Sequence, residues 1–195
     1  MDILNQLEQY QPWNAQEEQD RQELLRLARQ GGDLYTRDSA AHFTASAWVV
    51  SPDRKQVLMA YHNLYDSWAW LGGHTDGQRN LLAAAIREVQ EESGLTHVQA
   101  VSPAIYSLEI LPVAGHEKQG RYVSSHLHLN ITYLLEADPA DPLRSKPDEN
   151  SRVAWFTPEE AVAASSEIWF RERIYTKLNE KLNLWKKSEG WESGA

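Results

Sequence analysis

Between Leu71 and Leu95 the chain reads LGGHTDGQRNLLAAAIREVQEESGL, and no other stretch limits the possible fold as much. Paired glycines at 72 and 73 and a third at 77 let the backbone turn where side chains would obstruct it. Asn80 is placed to cap a helix in which Leu82, Ala85, Ile86 and Val89 recur at helical spacing, and Gly94 is placed to stop it. At about 100° per residue, Glu88 and Glu92 lie roughly 40° apart, with Glu91 about 60° to the other side of Glu88. The three carboxylates therefore share one stripe, opposite the apolar arc. Such a helix packs one side on a sheet and turns acid the other way.

The flanking sequence supplies that sheet. HFTASAWVV alternates around Phe43, Ala45, Ala47 and Val49, and SPDRK turns the chain into QVLMAYH, a hairpin pattern. AIYSLEIL and SSHLHLNITYLLEA also read as strands, with the polar stretch VAGHEKQGRY between them, and RVAWF is a short strand after a loop rich in Asp and Pro. Helices are expected at both ends. Asn14 and Glu17 have capping-box spacing before a helix of about four turns, and Thr157, Pro158 and Glu160 start another. A last helix from Ile168 to about Lys187 carries the stripe Ile174, Leu178, Leu182 and Trp185, and the tail SEGWESGA reads as frayed.

Composition narrows the partners. A formal net charge of -9 repels nucleic acid and anionic membrane, and no local basic patch overrides it. An anionic substrate would need a bridging cation or a few focused Arg and Lys. The absence of cysteine excludes disulfides, thiolate metal sites and cysteine nucleophiles. No run resembles a signal peptide or approaches the roughly 18 apolar residues that span a bilayer, so a cytoplasmic location is expected.

The acidic stripe alone has two readings. Like charges four residues apart on an exposed helix cost only a few tenths of a kcal/mol, so a solvated face accounts for them. A Mg²⁺ site accounts for them equally, because that ion takes oxygen ligands and shares them with substrate phosphates. The order of the surrounding residues separates these readings. The stretch resembles the box of the Nudix hydrolases, G-x5-E-x7-R-E-U-x-E-E-x-G-U with U aliphatic. Gly73 opens it, Arg87-Glu88-Val89 and Glu91-Glu92 follow, and Gly94-Leu95 closes it, so eight of nine specified positions match. The ninth is Arg79, where the family usually has Glu, an acid that commonly pairs with the Arg of the box. Two arginines cannot pair in that way. Asp76 in the variant run GGHTDG is the first choice of replacement partner for Arg87, with Glu91 as another.

The resemblance implies an α/β fold, an α/β/α sandwich with a mixed sheet, to which N-terminal and C-terminal helices are added. The chain then divides into an extension over 1–38, a Nudix domain over 39–165, and a last helix and tail over 166–195. The added helices would cap the core, cover the site or make a homodimer. The resemblance also implies hydrolysis of a nucleoside diphosphate linked to another moiety, with Mg²⁺ or Mn²⁺ and an attacking water. Glu88, Glu92 and Glu91 are then the metal ligands together with the Gly72 carbonyl, while Gly73, Asp76, Arg87 and Gly94 shape the site. The general base is Glu88 or Glu149 in KPDENSRVAWF, with Glu109 a weaker third candidate. ADP-ribose and nucleotide sugars suit a chain of this size, and Pro112 lies near where ADP-ribose hydrolases often carry a proline; dinucleoside polyphosphates, damaged nucleoside triphosphates and coenzyme pyrophosphates stay open, and capped RNA is disfavoured by the net charge. The isomerases of this fold use a cysteine that the chain lacks, whereas a nucleotide-binding or regulatory module is the alternative that Arg79 keeps open.

His126 and His128 alternate on one face of a strand with Asn130. An H-x-H pair suits zinc, but no third ligand at a matching spacing follows, so the pair reads as substrate contact or as structural histidines. His74 lies near the chemistry by position in the glycine loop. The stretch from His116 to Tyr122, with Lys118 and Arg121, reads as an exposed loop or as a flap that meets phosphate. Trp48, Trp68 and Trp70 read as core, with nucleobase stacking as the other use.

Overall fold

The computed structural model describes residues 2–118 and 120–188; the tail from 189 onward, expected to fray, lies outside the described residues. In chain order the elements are helices α1 (Ile3–Gln9) and α2 (Ala15–Gln30), strands β1 (Ala41–Val50), β2 (Val57–His62), β3 (Ser67–Ala69) and β4 (Leu71–His74), and helix α3 (Leu81–Ser93). Strands β5 (Gln99–Ala100), β6 (Ser107–Val113), β7 (His116–Lys118), β8 (Arg121–Val123), β9 (His126–Glu136) and β10 (Asn150–Phe156) follow. Helix α4 (Pro158–Ala164), a π turn (Phe170–Tyr175) and α5 (Thr176–Ser188) complete the elements among the described residues. This is an α/β fold, a mixed sheet with flanking helices. No described helix is long and apolar enough to cross a membrane.

The chain forms two compact units, to both of which β1, β4, α3 and β9 contribute residues. The first holds residues up to 46, 72–88 and 102–134. Its strands are ordered β4-β1-β9-β6, and β6 runs antiparallel to β9 with Glu109 opposite Asn130 and Leu111 opposite His128. Phe43, Ala45, Leu108, Leu129 and Ile131 on these strands are buried. The polar stretch read as a loop is a small hairpin, in which β7 and β8 pair antiparallel with Glu117 opposite Tyr122.

The N-terminal region contributes two helices where one was expected, and they are fastened to the first unit by polar contacts. Asn14 caps α2 as its spacing indicates, with its side chain accepting from Glu17 N–H at 3.0 Å. The Glu17 carboxylate is fully buried and accepts from Tyr10 Oη at 2.6 Å, Trp13 N–H at 2.7 Å and Ser107 Oγ at 2.9 Å. Ser107 Oγ also reaches Glu109, which accepts from Asn130 Nδ2 at 3.0 Å. Asn130 Oδ1 in turn accepts from Thr44 and Ser46. Burial first, and the Glu17 charge second, push the Tyr10 hydroxyl well above the usual tyrosine range, so it remains a donor. Glu109, the third candidate base, is thereby a member of a closed hydrogen-bond network and 2% exposed.

The second unit holds residues 47–71, 89–101 and those from 135 onward. Its sheet is ordered β10-β2-β1-β9-β5, with β3 added against β2. Trp48 is fully buried and stacks on Tyr175 at 5.5 Å between centroids, while Trp70 meets Phe170 and Tyr175 edge-on. Trp68 packs its edge on Tyr61 and Phe156. All three tryptophans are therefore engaged in packing. The turn after β1 carries Arg54, 5% exposed, whose guanidinium pairs with Glu136 and lies over the Trp185 ring. Thr157 and Glu160 form the capping box expected of them at α4.

Replacing Glu17 with Ala removes the acceptor of three hydrogen bonds at once, those donated by Tyr10, Trp13 and Ser107. We expect a loss of unfolding free energy on the order of 3 kcal/mol, measured by urea titration. A change below about 0.5 kcal/mol would show that the network carries no stability.

Candidate active site

Helix α3 begins as its sequence indicates, with Asn80 Oδ1 accepting from Ala83 N–H at 3.2 Å. It ends at Gly94, whose φ of 74° is the left-handed conformation of a helix stop. A side chain there would meet Arg144 Cβ at 2.9 Å. The buried face differs from the expected one. Leu81, Ala84, Ala85 and Val89 are buried, Leu82 and Ile86 are only partly covered, and the acids are not all solvated. Glu88 is 8% and Glu92 6% exposed, while Glu91 is open to solvent. Short alanine side chains at 84 and 85 let the helix seat on this rotated face. A plain solvated stripe therefore does not describe Glu88 and Glu92, because buried carboxylates demand partners or a counter-charge.

In the first unit, β4 brings backbone to the acid. Gly72 has φ 154°, and a Cβ there would lie 2.5 Å from Ser46 Cα and 2.6 Å from the Ala45 carbonyl. Gly73 faces the other way, where a Cβ would stand 2.5 Å from Glu88 Oε2. The two glycines thus serve different purposes: one lets β4 approach β1, and the other lets a carboxylate rest on the strand. Arg87 donates from Nη2 to the His74 carbonyl at 2.8 Å and to Glu88 Oε1 at 2.7 Å.

Asp76 is not the partner of Arg87. It accepts from Arg37 Nε at 2.7 Å and Nη2 at 2.9 Å, a two-pronged pair that uses both of its oxygens and leaves Arg87 to Glu88. The hydrogen bond and charge of Arg37 hold the Asp76 carboxyl below its usual range despite partial burial. Arg79 lies over the Tyr35 ring at 4.8 Å. The Tyr35 carbonyl accepts from Thr75 Oγ1 at 2.7 Å and Gly77 N–H at 2.8 Å. The acid missing at position 79 is thus compensated by Tyr35 and Arg37, which hold the glycine loop from the N-terminal side.

In the second unit, the loop before β10 is tied to the end of α3. Asn150 is buried and donates to the Glu92 carbonyl at 3.1 Å, and Arg144 N–H donates to the Ser93 carbonyl at 2.7 Å. Lys146 Nζ stands 3.3 Å from Glu91 Oε2 and 3.0 Å from Glu149 Oε2. Burial opposes its charge, but the hydrogen bonds and charges of Glu149 and Glu91 outweigh burial and raise its pKa. Glu149 and Glu91 are thus brought to one ammonium. Lys146 and Asn150 went unnoticed in the sequence, where the only signal was a lysine three residues before a loop acid.

The remaining residues singled out by sequence lie in the first unit. His74 ends β4, His126 and His128 lie on β9, and Arg121 is exposed on β8. Burial first, then the charge of Arg37 and neighbouring imidazoles, depresses His74 and His128 to about 3. His42, which sequence reading overlooked, stacks on His126 with centroids 5.1 Å apart.

A NUDIX domain model matches residues 41–178, the greater part of the chain. The chain belongs to the Nudix family and is a Nudix-type hydrolase of phosphoric anhydride bonds. Among solved structures, a C. elegans Ap4A hydrolase in a binary complex is similar at TM-score 0.53 and 18% identity, covering 75% of this chain and 98% of that one. The E. coli dihydroneopterin triphosphate pyrophosphohydrolase is similar at TM-score 0.53 and 16% identity, covering 76% and 99%. At these identities the likeness is one of fold. No curated protein matches the chain in sequence.

Arg37→Ala removes a half-exposed ion pair, so its global cost is below about 1 kcal/mol. Its local effect is larger. Amide exchange over residues 75–79 accelerates several-fold while the β6–β9 ladder is unchanged, as hydrogen-exchange mass spectrometry would read. Equal protection in both proteins would mean that the loop does not depend on Arg37.

Proposed function

We propose that the chain is a metal-dependent pyrophosphohydrolase that cleaves a nucleoside diphosphate linked to another moiety, with ADP-ribose or a nucleotide sugar as leading candidates, by attack of water at phosphorus. The observation that carries this reading is the near-complete burial of Glu88 and Glu92 on one helix, with Glu88 nested on the bare Cα of Gly73. The donor set fits a hard divalent cation, Mg²⁺ or Mn²⁺: three carboxylates, from Glu88, Glu91 and Glu92, and the Gly72 carbonyl, all oxygen. When bound, such a cation neutralises pyrophosphate oxygens and acidifies a water. It also reconciles an anionic substrate with a chain of net charge -9.

The chain's own residues divide the remaining work. Arg87 fixes one oxygen of Glu88 and leaves the other turned to Gly73, so Glu88 is the held ligand. Glu149, more exposed and paired with Lys146, takes the proton of the attacking water. As the water oxygen bonds to phosphorus, the bond from phosphorus to the bridging oxygen breaks, and the leaving phosphate departs with that oxygen. Arg121, on the exposed hairpin strand, meets substrate phosphate.

A panel of ADP-ribose, nucleotide sugars, Ap4A and dihydroneopterin triphosphate with Mg²⁺ and Mn²⁺ tests the reading; the last two are taken from the names of the structural neighbours. Glu92→Gln should abolish cleavage, read by chromatography of the two phosphorylated products, and weaken Mn²⁺ binding. Glu149→Gln should lower kcat about 10²- to 10⁴-fold with Mn²⁺ binding intact. Turnover by Glu92→Gln at the wild-type rate would overturn the role of α3, and cleavage of none of these compounds by wild type would overturn the substrate class.

A further inference from the structure

Four imidazoles from three strands of the first unit converge: His42 from β1, His74 from β4, and His126 and His128 from β9. One ring nitrogen from each lies within 4.8 Å of those from the other three. Sequence spacing offered only the H-x-H pair, so the third and fourth ligands come from folding. His42 Nδ1 donates to the Ser39 carbonyl at 2.9 Å, and His126 Nδ1 to the Ser124 carbonyl at 2.8 Å. In both rings this leaves the Nε2 lone pair pointing elsewhere, the arrangement found behind metal-bound histidines. His126 Nε2 and His128 Nε2 stand 3.1 Å apart. His42 is 3% exposed, and its Nε2 is buried with no hydrogen-bond partner.

A purely structural cluster does not account for this arrangement. A proton on His128 Nε2 can satisfy His126 Nε2, yet the lone pair of His42 Nε2 remains buried and unsatisfied, a cost of about 1–3 kcal/mol. A single cation at the centre accepts all four lone pairs. We propose that His42, His74, His126 and His128 form a second metal site, separate from the oxygen ligands of α3, that takes Zn²⁺ or a similar borderline d-block dication. Imidazole donors favour such ions over Mg²⁺, which requires oxygen. Nitrogens bound to tetrahedral zinc at about 2.0–2.1 Å stand roughly 3.3 Å apart, so the His126–His128 pair is already set and the widest pair must close by over 1 Å. The site replaces separate substrate contacts by His74, His126 and His128 with common ligation, and it does not rest on the assignment of the pyrophosphate chemistry.

The test uses the full chain without an affinity tag, stripped by chelator and titrated with Zn²⁺ and with Co²⁺. We expect one zinc per chain, the strong visible absorption of tetrahedral cobalt, and a rise in Tm with zinc, in wild type and equally in Glu92→Gln. The double variant His126→Gln/His128→Gln should bind at least 100-fold more weakly. Failure of wild type to bind zinc saturably, or to give the cobalt band, overturns the proposal whether or not the variant folds. Loss of the site in Glu92→Gln with retention in the histidine variant overturns it as well, and assigns the metal to α3 instead.

Discussion

The contact between the Glu88 carboxylate and the bare Cα of Gly73 is the constraint on which the rest of the site depends. A carboxylate held this close to backbone requires a glycine on the strand, a helix seated at a fixed depth, and a loop short enough to join them. Each requirement is visible nearby. Gly72 lets β4 approach β1, Ala84 and Ala85 let α3 seat closely, and the turn through Asp76 and Gly77, both at positive φ, closes the connection. Arg87 then holds the carboxylate from its remaining side.

The loop itself is secured from outside the box. In a chain with Glu at position 79, support for the box arginine comes from within the motif. Here Arg79 rests on Tyr35, Asp76 is taken by Arg37, and the Tyr35 carbonyl receives two donors from the loop. With Arg at position 79, the glycine loop is held by a segment some forty positions earlier in the chain, while Arg87 rests on Glu88 and the His74 carbonyl.

What was legible in the sequence follows from the range of the interaction. The cap at Asn80, the stop at Gly94 and the capping box at Thr157 depend on neighbours within four residues, and each appears where its spacing placed it. The alternation of β9 identified a strand with its histidines and Asn130 on one face, since a period of two is local as well. The rest required partners far apart in sequence. Nothing near Asp76 announces Arg37, nothing near His128 announces His42, and Lys146 gains meaning only beside Glu91. The buried face of α3 was misjudged because hydrophobic periodicity weighs Leu82 and Ile86 above Ala84, whereas close packing favours the smaller side chain.

The hydrogen-bonded path from Tyr10 through Glu17, Ser107 and Glu109 to Asn130 bears on where this protein can be cut. The family match begins at residue 41, and a clone trimmed to it would omit Glu17, the acceptor that Ser107 and Tyr10 share. Asp20, which takes the Ile110 amide, and Gln16, which reaches the Leu108 carbonyl, would be lost with it. Strand β6 would then lose all three of these partners from the N-terminal helices. The first compact unit thus takes in residues well before the family match begins, with α2 packed on β6 and α1 on α2.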